Sequence, residues 1–298
     1  MSETKGPGPD ITKPPPDLAE VRYGPHERNV FDLWLAKSPR PAPLVVHIHG
    51  GGFSGGSKAN LPASLLRECL DAGISVAATN YRLSQHATFP AAMLDAGRAI
   101  QFLRHNARPW NLDPLRVAAT GGSAGGGISL WLGFHDDLAD PAANDPVARQ
   151  STRLTCMAVV NTQSSYDLLL IEREMCVPGA GHEALLPFYG LTADEIDTPR
   201  ARRLYEQASA LTYVSAAGPP VLMFYTQPNR PPHPQLSGGE AIHHPRFGYL
   251  LKARMDALGV ECTVRHGDEY PGATVEEKRP WADKDFAAFF RRHFEQGH

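Results

Sequence analysis

The stretch AATGGSAGGGISL runs from Ala118 to Leu130 and sets five glycines around one serine, Ser123. Glycine weakens regular structure and is used where φ must be positive or where another group comes very close. The apolar run RVAAT, Arg116–Thr120, reads as a strand, and Ser123–Phe134 reads as a helix. Gly121-Gly122-Ser123-Ala124-Gly125 therefore fits G-x-S-x-G between a strand and a helix. In such a corner, side chains on the flanking glycines would clash, and the serine hydroxyl is lifted out of the sheet. The helix start beneath it offers unpaired N–H groups to a developing negative charge. A phosphate loop is the competing reading, but no Walker lysine follows and G-x-G-x-x-G is absent.

Outward from this corner the chain alternates strand and helix. NVFDLWLA, LVVHIH, ISVAATNY, LTCMAVV, PVLMFYT and VECTVRH read as strands. Helices are expected near Ala59–Ala72, from Pro90 to about Asn106, over Pro199–Ala208, Pro245–Leu258 and Trp281–Phe294. This order predicts an α/β fold, a mostly parallel central sheet with helices on both faces. The irregular segment about 164–218 is expected to be a small cap inserted over the carboxyl edge of the sheet, where such folds place their sites. Residues 1–20 carry five prolines and read as a loose N-terminal arm, leaving 21–298 as one domain.

A second glycine cluster follows the strand Leu44–Ile48. His49-Gly50-Gly51-Gly52 is the HGGG pattern of an oxyanion loop, with the N–H groups of Gly51, Gly52 and Ala124 as donors and His49 as a brace. A flexible linker would explain one such cluster, but two, each placed directly after a strand, fit a two-part oxyanion site better.

The 298 residues are 42% hydrophobic and 20% charged, with a formal net charge of −3, enough for one large core and without the basic footprint of a nucleic-acid binder. Cys69, Cys156, Cys176 and Cys262 fit no zinc spacing, and the first, second and fourth lie in apolar stretches where reduced thiols act as small hydrophobes. Neither HExxH nor another metal-ligand spacing occurs. No apolar run is long enough to span a membrane and no leader is recognised, so a soluble cytoplasmic protein is expected, with homo-oligomerisation left open.

HIHGGGFSGGSK, NYRLS, FPAAMLDAGRAIQFLR, DPLRVAATGGSAGG and ASALTYVSAAGPPVLMFY together resemble the α/β-hydrolase esterases related to hormone-sensitive lipase and acetyl-xylan esterases. The resemblance covers about Val21 to the C-terminus. It implies a serine hydrolase of small acyl or acetyl esters that needs no cofactor, with Ser123 as nucleophile, a histidine as base and a carboxylate to orient it. It places the acid after PVLMFYT and the histidine after VECTVRH.

Here the sequence departs from that pattern. The first loop, QPNRPPHPQLSGGEAIHH, has no aspartate, and Glu240 falls where the acid is expected. The second, GDEYPGATVEEKRPW, has no histidine. Three readings stand. His266, at the end of the last strand, is the base with Glu240 as acid. Or the loops exchange roles, and His244 (alternatively His243) pairs with Asp268 or Glu269. Or the machinery is incomplete. The exchange leads, with Ser123, His244 and Asp268 as the expected triad, although His244 could equally cap the helix after Pro245. An amidase of the arylformamidase type and a hydrolase-fold binding protein are the alternative functions. In the cap, Tyr166, Leu168–Leu170, Leu185, Leu186, Phe188 and Tyr189 suit either an apolar pocket or the cap's own core.

Overall fold

The computed structural model describes residues 12–272 and 274–296, with the side chains of 275 and 276 excepted. Eight strands form one sheet: β1 (Leu18–Arg22), β2 (Val30–Trp34), β3 (Ala42–Ile48), β4 (Ser75–Thr79), β5 (Leu112–Gly122), β6 (Met157–Val160), β7 (Val221–Tyr225) and β8 (Cys262–His266). Their spatial order is β1-β2-β4-β3-β5-β6-β7-β8. β2 runs antiparallel to both of its neighbours, and every pairing from β4 to β8 is parallel. Every residue of β4, β6 and β7 is buried, and apart from Ser75 and Thr79 at the ends of β4 all are apolar, as a strand covered on both faces demands.

The covering helices are α1 (Ala63–Asp71), α2 (Ala91–His105), α3 (Ala124–Phe134), α4 (Leu168–Met175), α5 (His182–Tyr189), α6 (Pro199–Ala208), α7 (Gly238–Ile242), α8 (Arg246–Asp256) and α9 (Val275–Gln296). Side-chain parity divides the core. Val46 and Ile48 of β3 enter a large cluster with residues of α2, α3, α8 and the cap. Val45 enters a second one with Leu65 and Leu66 of α1 and Phe286 and Phe290 of α9. His47 shares the parity of Val45 and so faces the α1/α9 side.

The cap lies between β6 and β7 and consists of α4, α5 and α6 with short 3-10 turns. Phe188 of α5 stacks on Phe53 with ring centroids 4.0 Å apart, tying the cap to the glycine loop after β3. Tyr166, Leu168, Leu185, Phe188 and Tyr189 are buried there, so these five serve the core of the cap; Leu169, Leu170 and Leu186 are partly covered.

Most of the expected N-terminal arm lies outside the described residues, but its end does not hang free. Asp17 accepts the Leu35 N–H at 2.7 Å, Pro14 accepts the Trp34 indole N–H at 2.8 Å, and β1 adds an edge strand within it. Cys69, Cys156 and Cys262 are buried free thiols and Cys176 is exposed. Among the described residues no helix is long and apolar enough to cross a membrane.

Candidate active site

Ser123 sits between β5 and α3 with φ 51° and ψ −122°, a strained conformation for a residue with a side chain. The surroundings hold it there. Its N–H donates to Val160 O at 2.8 Å, and its carbonyl accepts from Thr162 Oγ1 at 2.8 Å. The flanking glycines are steric necessities: a Cβ on Gly121 would lie 2.4 Å from Ile48 O, and one on Gly125 only 2.0 Å from that atom. The end of β3 thus presses on the corner from one side, and Ser123 itself remains partly exposed.

The same close approach brings the glycine loop to the serine. A Cβ on Gly50 would stand 3.5 Å from Ser123 Cβ. Gly52 has φ +57°, the left-handed region, and Ala184 of α5 packs against it. The Gly51 carbonyl accepts the Ser54 and Gly55 N–H groups at 3.0 Å each, whereas the N–H groups of Gly51 and Gly52 donate to no acceptor among the described residues. Ala124 opens α3, where backbone N–H groups have no partner within the helix.

His49 braces this loop. Its ring stacks on Tyr81 at 4.3 Å, Nδ1 meets Gly50 O at 2.7 Å, and Nε2 meets an Arg28 terminal nitrogen at 3.1 Å. Burial pushes the imidazole down to about 4, so it is neutral and engaged at both nitrogens.

The ring that meets Ser123 belongs to His243. Its Nε2 lies 2.9 Å from Ser123 Oγ. His243 ends α7, in the loop after β7, and is partly buried. Burial lowers its pKa below the ordinary histidine value, while a hydrogen bond to the Gly239 backbone acts in the opposite direction. The imidazole is therefore held neutral, with Nε2 able to accept the serine proton.

The expectation that put His244 first is corrected here. His244 is 3% exposed, and its Nδ1 accepts the Arg246 N–H at 3.0 Å at the start of α8. The expected acids also lie elsewhere. Asp268 faces His266 Nδ1 at 3.7 Å, and Glu269 accepts from Arg265 at 2.6 Å and from the His266 N–H at 2.9 Å. Glu240 closes a capping box on Ser237. The His266 ring lies 3.7 Å from Asp268 and 3.5 Å from Glu269, and among the described residues it makes no contact with Ser123. Among the described residues no carboxylate pairs with His243.

A cavity of about 280 Å³ opens beside the pair, lined by Ser123, His243, His47, Asn60, Asn161 and Arg279 among others. Its polar lining was not foreseen from the sequence. His47 reads there only as part of an apolar strand, and Arg279 lies in a distant helix whose first turn falls in the loop expected to supply the base.

With this geometry in place, comparison with known proteins is informative. The family model BD-FAE matches residues 31–230. Esterase LipQ of Mycobacterium tuberculosis is 28% identical over 217 residues, 70% of this chain and 48% of that protein. Carboxylesterase NlhH of the same organism is 38% identical over 138 residues, 45% of this chain and 42% of its own. The chain thus spans about half the length of these relatives. A truncated carbohydrate esterase from gut microbiota superposes with a TM-score of 0.72 at 20% identity, covering 98% of this chain and all of that one. The shared architecture is the α/β-hydrolase fold.

Proposed function

The chain belongs to the BD-FAE family, and from that membership and the Ser123 geometry we propose that it is a serine hydrolase of carboxylic esters. The observation that carries the reading is the 2.9 Å approach of His243 Nε2 to a hydroxyl on a strained strand-to-helix corner. The names of LipQ and NlhH, an esterase and a carboxylesterase, support it.

In the proposed reaction, Ser123 Oγ attacks the ester carbonyl as His243 Nε2 takes its proton. The carbonyl oxygen becomes an oxyanion received by the N–H groups of Gly51, Gly52 and Ala124, each worth about 3 kcal/mol of barrier when properly aimed. Collapse expels the alcohol, which takes the proton from His243, and leaves Ser123 acylated. Water then attacks the acyl group with His243 again as base, and Ser123 is released with the carboxylic acid. The Gly239 backbone holds the other edge of the ring.

Turnover of p-nitrophenyl acetate by the wild type, lost in Ser123→Ala, is the expected result. Equal rates in the two proteins would favour a hydrolase-fold binder instead.

A further inference from the structure

We propose that the cavity beside Ser123 binds a carboxylate carried on the leaving-alcohol part of the ester, with Arg279 and His47 as its partners. The inference rests on the ester-hydrolase reading and narrows its substrate class.

Arg279 reaches the cavity from α9. Its Nε donates to Asp283 Oδ1 at 2.7 Å. Asp283 is fully buried, and its second oxygen accepts the Ser64 hydroxyl at 2.5 Å. That arrangement fixes the guanidinium by one nitrogen. Its two terminal nitrogens have no acceptor among the described residues, and a planar fork of this kind matches a carboxylate.

His47 supplies the independent observation. It is 5% exposed, lines the same cavity, and its buried Nδ1 has no hydrogen-bond partner among the described residues. Buried polar atoms are nearly always paired, and this unpaired donor sits in the wall of the cavity that the Arg279 fork also lines. Burial pushes this imidazole down to about 3, with Arg279 contributing, and a neutral ring can donate a hydrogen bond. Asn60 uses its side-chain oxygen on the Ser57 N–H, which leaves the amide NH2 as a further donor. Asn161, by contrast, is occupied by Thr226. Among the described residues the lining therefore offers donors and no carboxylate, the chemistry of an anion site.

The cavity is lined by both Ser123 and His243, the group that returns its proton to the departing oxygen. A carboxylate held there accordingly belongs to the leaving alcohol, whose oxygen takes that proton.

The test uses the full chain and two pairs of acetate esters, para- and meta-acetoxybenzoate and the corresponding uncharged acetoxybenzamides. Each kcat/KM is divided by that ester's own hydroxide-catalysed rate. For at least one isomer the carboxylate should be preferred about tenfold or more, through KM, with the preference falling as salt is raised. Arg279→Gln should bring the ratio close to one, and Arg279→Lys should retain part of it. Should Arg279→Gln fail to fold because Asp283 is left unpaired, Arg279→Gln with Asp283→Asn serves in its place. A ratio near one for both isomers in the wild type, or a preference that survives Arg279→Gln, overturns the proposal. If no ester is hydrolysed, calorimetry with para- and meta-hydroxybenzoate reads the cavity alone. Binding that Arg279→Gln abolishes would keep the anion site while the esterase reading fails, and absence of binding would overturn the site as well.

Discussion

Replacing His243 by alanine separates its assigned role from that of its neighbour. The Ser123–His243 contact at 2.9 Å is the one described route for the serine proton, because neither His244 nor His266 meets Ser123 among the described residues. The strained corner and the oxyanion donors survive the substitution, so catalysis should fall without vanishing. General-base removal of this kind costs about 10³-fold, or about 4 kcal/mol of barrier. The assay is kcat/KM for p-nitrophenyl acetate from pH 4.5 to 9 in His243→Ala, His244→Ala and His266→Ala. His244→Ala removes an acceptor at the start of α8 and should cost about 1 kcal/mol of stability while leaving turnover near wild type. Asp268→Asn and Glu269→Gln should likewise change kcat/KM little, since neither carboxylate touches His243. The neutral imidazole is the working form, and burial lowers its pKa. The acid limb of the wild-type profile should therefore lie below pH ~6.5, the ordinary histidine value. If His243→Ala stays within about tenfold of wild type, or the large loss follows His244→Ala, the assignment is wrong.

Three further outcomes test the surrounding structure. Gly125→Ala places a Cβ 2.0 Å from Ile48 O and should cost about 3 kcal/mol in urea unfolding; a change below ~0.5 kcal/mol would mean that β3 does not press on the corner. Tyr166→Phe removes a buried hydroxyl that has no partner among the described residues and should raise stability by about 1 kcal/mol in the same assay, so a clear loss would reveal a missed hydrogen bond. For His47, the folded value of about 3 lies below the unfolded ~6.5. The unfolded chain therefore binds the proton first, and stability is lost as pH falls through this window. By pH 5 the loss from this one group is about 2 kcal/mol, which His47→Gln should remove from the slope; equal slopes in the two proteins would contradict its buried, neutral state.

Much of the fold was legible because its cause is local. β6 and β7 are continuous apolar runs, β4 is apolar between Ser75 and Thr79, and Ser123 is framed by glycines that packing against β3 requires. β1 was not legible: LAEVR alternates poorly, is mostly exposed, and is a strand only because β2 offers it an edge. The choice between His243 and His244 depends on which ring turns toward the serine as α7 ends and α8 begins. Two identical side chains in succession carry no composition signal for that. The loop after β8 offers acids of the right type, yet Asp268 and Glu269 bend back onto His266 and Arg265 in the same segment. Local charge pairing, which a loop sequence alone does not display, decides their direction. His47 and Arg279 meet only because the sheet parity of β3 and the path of α9 bring them to one cavity.

The central claim is that Ser123 is a nucleophile activated by His243. Incubation with a fluorophosphonate, followed by intact-mass and peptide mapping, tests it most directly. The account predicts one adduct per chain, on Ser123, and labelling slowed by orders of magnitude in His243→Ala. Failure of the wild type to label, or labelling of His243→Ala at the wild-type rate, would contradict it.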